Sequence, residues 1–129
     1  MYRLIVIAAL MSGCSILNMA KYNENEHLLV NKIRTSAEVS LDECDNRVNM
    51  VNISRSLYVD SLELYNFNSV TPYNDESINM SKSLLDVTKG LKERYASSDD
   101  VSAEYCKIKM RTISDSAKAI QYSIVRKPR

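Results

Sequence analysis

A chain of 129 residues with a formal charge of +1, two glycines, two prolines and no tryptophan is sized for one small domain and poor in helix breakers. Its near-neutral balance excludes nucleic-acid binding through a general basic field. So few turn residues also exclude a β-sandwich, and the abundant Leu, Ile, Lys, Glu and Ser point to an all-α fold of long helices.

Arg3 places a positive charge before an apolar run, Leu4 to Met11, and Ser12 and Gly13 put small residues directly before Cys14. Eight residues rise only about 12 Å as a helix, far short of a hydrocarbon core of roughly 30 Å. A retained membrane span is therefore not expected. The stretch Leu10, Met11, Ser12, Gly13, Cys14, Ser15 resembles the lipobox of bacterial lipoproteins, departing from it at Met11, where leucine is usual. The resemblance implies that residues 1–13 are a signal peptide and that Cys14 becomes the first residue of the mature protein. It also implies a thioether-linked diacylglycerol on Cys14 and commonly an acyl chain on its amine, enough to hold a protein stably on a bilayer. The membrane is thus the first expected partner, and no cofactor beyond that lipid is expected. Ser15 in place of an aspartate implies, in an enteric host, the periplasmic face of the outer membrane.

Residues 14–25 are then the lipidated cysteine and a polar tether, and residues 26–129 a helical domain. From Glu26 to Asn66 neither glycine nor proline interrupts. Ala37, Leu41, Cys44, Val48, Val51, Arg55, Tyr58, Leu62 and Tyr65 recur there at alternating steps of four and three, a heptad seam that predicts one long N-terminal helix. A second line, Met50, Ile53, Leu57, Leu64 and Phe67, runs beside its later half, as suits a helix packed against two others. Pro72 disfavours helix at Thr71, and Asn74 is a candidate cap for the next helix, with Asp75 and Glu76 behind it. That second helix is predicted over about 75–96, with Met80, Leu84, Val87 and Leu91 inward and Gly90 allowing close approach. The third is predicted over about 100–125, with Cys106, Met110, Ile113, Ala117, Ile120 and Ile124 inward, before a frayed basic tail from Arg126 to Arg129. Acidic side chains outnumber basic ones over 26–66 and the reverse holds over 100–129, which favours pairing of the first and third helices. The expected architecture is an up-down-up three-helix bundle.

With Cys14 lipidated as the resemblance implies, Cys44 and Cys106 are the cysteines left, and in an exported protein such a pair reads as an interhelical disulfide. The lengths agree. A second helix of about twenty-two residues, descending from a turn just past residue 66, ends level with residue 44, where Cys106 begins the third. No catalytic or metal set is expected. His27 is the sole histidine and has no ligand set at metal-binding spacing; Asp42, Glu43 and Asp45 splay around a helix axis rather than converge on calcium. The serines lack a Gly-x-Ser-x-Gly elbow. Arg55 is expected to pack its stem and keep its head wet, and Tyr58 and Tyr65 to be core residues with a polar handle.

The same length arithmetic leaves the first half of the long helix unaccompanied, a stalk of about 27 Å over residues 26–43. It carries an apolar line, Leu29 or Val30, then Ile33, Ala37 and Leu41, which is expected to dock a partner helix or a second copy of the protein unless the tether or the tail folds over it. The function expected is a non-catalytic binding lipoprotein of the exclusion, immunity or inhibitor kind, acting on an envelope protein and on no small-molecule substrate. The alternative is a structural lipoprotein of an envelope assembly, such as a secretion apparatus or a phage outer-membrane spanin.

Overall fold

The computed structural model describes residues 19–129, so the lipobox and Cys14 lie outside the described residues. These form four α-helices and one short 3-10 turn: α1 Glu24–Val39, the turn Ser40–Glu43, α2 Arg47–Ser69, α3 Asp75–Ala96 and α4 Ala103–Val125. The all-α expectation holds. The three-helix expectation does not, because the long N-terminal helix is two helices.

The break needs neither glycine nor proline. After Val39 the chain tightens into the 3-10 turn, and the Asn46 N–H donates to the Glu43 carbonyl at 2.8 Å. Asn46 itself leaves helical geometry, with φ −111° and ψ 96°, and its Oδ1 accepts the Asn49 N–H at 3.0 Å. Asparagine competes with the helix in this way and starts a new one. The chain therefore reverses. Lys32 Nζ donates to Asp60 Oδ1 at 3.1 Å, between residues equidistant in sequence from Asn46. Each helix packs against its sequence neighbours, and α4 closes the ring against α1, giving an antiparallel four-helix bundle.

Reversal also turns α2. Met50, Leu57 and Leu64 are buried, with Ser54 and Ser61 between them and Asn68 one turn beyond. Val48, by contrast, is 73% exposed, Arg55 is exposed, and Val51, Tyr58, Leu62 and Tyr65 are half-buried. The core face lies one residue before the expected seam, about 100° of helix rotation, so the second apolar line supplies the core through Met50, Leu57 and Leu64, while its Ile53 and Phe67 are half-buried. In α3, Leu84 and Leu91 are buried as expected, while Met80 and Val87 pack at the core's edge. Ser77, Ser81, Thr88 and Tyr95 complete that face. Gly90 is exposed, and a Cβ there would meet nothing within 4 Å, so it serves no close approach. The expected inward set of α4 is buried from Cys106 to Ile124.

Small polar residues thus alternate with leucines between α2 and α3. Ser54, Ser81 and Thr88 return their hydroxyls to carbonyls of their own helices at 3.2, 2.7 and 3.0 Å, which satisfies them without separating the helices. Tyr95 Oη has no partner, and burial pushes its hydroxyl pKa up.

At one end of the bundle Cys44 and Cys106 are bonded, with Cα atoms 5.6 Å apart. Beside them Arg47 donates to the carbonyls of Tyr95, Ser97 and Asp99, tying the start of α2 to the α3–α4 turn. The pairing survives the loss of the long helix because that turn comes level with Asn46 in either arrangement. Its sequence separation is 62, for which loop-closure entropy gives roughly 4 kcal/mol, lowered by any helix the reduced chain retains. Reduction, or Cys106→Ser, is expected to cost about 2–4 kcal/mol in urea denaturation while leaving the helical circular dichroism in place. An unchanged midpoint would show that packing alone already closes the loop.

The stalk is absent. Val30, Ile33 and Ala37 are fully buried, and Leu29 and Leu41 are half-buried against the same core. The polar margins are shared with α4 too, since Arg34 Nη1 donates to Gln121 Oε1 at 2.9 Å and Ser114 Oγ to Glu38 Oε1 at 3.0 Å. Together with the Arg34 Nε bond at 2.8 Å, which acts most strongly, the serine bond holds the Glu38 carboxyl below its usual pKa. The line Leu29, Ile33, Ala37 and Leu41 is therefore core rather than a docking face. An apolar stripe needs cover, and α4 supplies it.

Candidate functional site

The end opposite the disulfide gathers the most buried polarity. Asn23 opens α1, its Oδ1 accepting the N–H groups of Asn25 and Glu26 at 2.9 and 3.2 Å. Glu26 holds the core position before Val30 and is 2% exposed. A carboxylate there demands a partner, and the chain just past α4 provides one. Lys127 Nζ donates to Glu26 Oε2 at 3.0 Å, to Oε1 at 3.2 Å and to Asn74 Oδ1 at 2.9 Å. Asn74 Nδ2 donates in turn to Asn68 Oδ1 at 3.2 Å, and Asn68 Nδ2 to the Ser77 carbonyl at 3.3 Å. One network joins α1, α2, α3 and the segment after α4.

Two sequence expectations change here. Asn74 stands at the N-cap of α3, but its side chain makes no cap bond, being turned to Asn68 and Lys127. The basic tail is not frayed, since the Tyr22 N–H donates to the Pro128 carbonyl at 2.8 Å and the Arg129 guanidinium lies 4.9 Å from the Tyr22 ring centre. The tether is likewise held from Ala20 onward, where the N–H donates to the Tyr73 carbonyl at 3.0 Å.

Tyr73 is the one non-glycine residue of positive φ among the described residues, at 55°. That left-handed conformation costs roughly 1–2 kcal/mol for a side chain of this kind. Beside it lies a partly open cavity of about 440 Å³, lined by Met19, Tyr73, Asn74, Ser77, Ser123 and Lys127 among others. Ser77 Oγ is buried without a partner, so no base stands against it, and Lys127 is already engaged by Glu26 and Asn74. The lining offers hydrogen-bonding groups and not an activated nucleophile. Among the described residues no cluster of three or more His, Cys, Asp or Glu side chains is placed to hold a metal ion, and no helix is long and apolar enough to cross a membrane.

The other residues singled out by sequence are scattered. His27 is half-buried, its ring 6.1 Å from that of Tyr22 and its Nδ1 without a partner. Tyr58 packs against Lys92, whose Nζ lies 4.3 Å from the ring centre. Glu43 Oε2 accepts from Asn49 Nδ2 at 2.6 Å and so belongs to the turn. The Glu26–Lys127–Asn74–Asn68 network escaped the sequence reading, although one signal was there. The four–three series that runs Val30, Ile33, Ala37 begins at Glu26, which places a carboxylate on a core face. No protein-family model matches the chain, and neither a curated protein nor a solved structure matches it.

Proposed function

We propose that this chain is a lipid-anchored, non-catalytic envelope protein. Held at the periplasmic face of the outer membrane by the lipid on Cys14, its four-helix domain binds and occludes another envelope protein, as exclusion, immunity or inhibitor lipoproteins do. The observation that supports this most is the Cys44–Cys106 bond. Disulfides persist in oxidising compartments such as the periplasm, and of three cysteines the bond leaves Cys14 over for lipid. The alternative, a structural part of a secretion assembly or a phage spanin, is served by reach. With α1 folded back on α4 the bundle is only about 35 Å long, so the linking role loses its spacer.

Labelled palmitate is expected to enter the protein and to be lost in Cys14→Ala, with globomycin causing the uncleaved precursor to accumulate. Equal labelling of the mutant would remove the premise. Crosslinking in the native envelope, followed by identification of the bound protein, then names the partner.

A further inference from the structure

Exposed apolar side chains share the end of the bundle from which the N-terminal segment departs. Val70, just past α2, is 81% exposed, Tyr73 is 68% exposed and Met19 is 47% exposed; Pro72 between the first two is exposed as well. Met19 and Tyr73 flank the same cavity, and the Ala20–Tyr73 backbone bond fixes the outgoing chain beside this loop. Pro72 has no N–H, which lowers the cost of carrying backbone into an apolar medium. Tyrosine is a side chain favoured at membrane–water interfaces, with an apolar ring and a polar tip.

Chain length decides what lies opposite. Cys14 is five residues before Met19, no more than about 18 Å when fully extended. The disulfide end is a further α3 length away, about 33 Å. Acyl chains on Cys14 therefore bring a bilayer to this end of the bundle, where Val125 is exposed as well, and not to the exposed Val39, Val48 and Ile108 toward the disulfide end. Tethering also makes the encounter intramolecular, so a weak contact is populated. Charge adds no field of its own, because exposed Lys21, Arg126 and Arg129 are offset by exposed Glu24, Asp75 and Glu76.

We infer that residues 70–73, with Met19, form a second membrane contact, inserting Val70 and Tyr73 into the interface of the bilayer that holds Cys14. The contact rests on the lipoprotein reading above for its bilayer, and it fixes the bundle's orientation, with the disulfide end presented to the periplasm. Apolar insertion drives it, so zwitterionic lipid suffices.

The test uses the chain from Cys14 onward, its Cys14 thiol coupled to a maleimide lipid in phosphatidylcholine vesicles, so that the result does not depend on acylation in cells. The natural sequence has no tryptophan, and Tyr73→Trp is then a single reporter. Its emission is expected to shift to the blue and to lose about half or more of its intensity to bromines on the upper acyl chains, given an insertion depth of roughly 5–10 Å. Ile108→Trp, near the start of α4, is expected to stay unquenched. Adding Val70→Asp to the Tyr73→Trp chain, at a site too exposed to disturb the core, is expected to return the reporter to a water-like emission with the thermal melt unchanged. A Tyr73→Trp indole that stays water-like in vesicles that float with the protein overturns the contact alone. Failure of palmitate labelling at Cys14 overturns the lipoprotein reading instead.

Discussion

Ile33→Glu is expected to abolish the cooperative unfolding transition of this protein. Ile33 is fully buried between α1 and α4, and removing an isoleucine side chain from such a site costs about 2–5 kcal/mol even when alanine replaces it. A carboxylate there adds the penalty of an unpaired buried charge, several kcal/mol more. Against a total of about 5–15 kcal/mol for a small domain, nothing useful is left. Leu41→Glu, at a half-buried edge position, is expected to be milder, and Ile33→Ala to keep a melt at lower temperature. Thermal circular dichroism reads all three. An Ile33→Glu protein that melts like the parent would mean that α1 stands free of α4, and the partner-docking stalk would return.

Breaking the Glu26–Lys127 pair is expected to cost about 3–5 kcal/mol from either side, because each single change leaves the other charge buried and alone. Both side chains are largely shielded, 2% exposed for Glu26 and 8% for Lys127. Glu26→Leu and Lys127→Met are therefore each strongly destabilising in urea denaturation, whereas the double variant recovers most of the loss. Asn74 moderates the recovery, since its Oδ1 also accepts from Lys127 and would be left short of a donor. Additive losses in the double variant would show that the two groups do not interact, and that the tail after α4 is held by its backbone bond to Tyr22 alone.

Much of this fold is visible in the amino-acid sequence, and the reasons are local. Pro72 ends α2 near residue 70, the Ser97–Asp100 stretch separates α3 from α4, and the inward face of α4 follows the heptad series from Cys106 to Ile124 without exception. The cysteine pair was legible as well, since the disulfide depends on helix lengths more than on the identity of the first helix. The reversal at Asn46 has only a weaker local mark, a capping asparagine behind Asp42 and Asp45. Apolar residues keep their four–three spacing straight across it, from Ala37 through Leu41 and Cys44 to Val48, and periodicity is the same whether a helix continues or doubles back.

Only the tertiary structure decided that question. A continuous helix would leave Val30, Ile33 and Ala37 facing water, whereas reversal buries them against α4, a non-local gain in apolar burial that no window of sequence contains. The polar cluster of Asp42, Asp45 and Asn46 makes the turn inexpensive; the burial makes it favourable. The same holds for the network at the tether end. Glu26 and Lys127 are 101 residues apart in the chain, and the meaning of each, a charged first turn or a basic tail, changes once the ring of helices closes and takes water away from both.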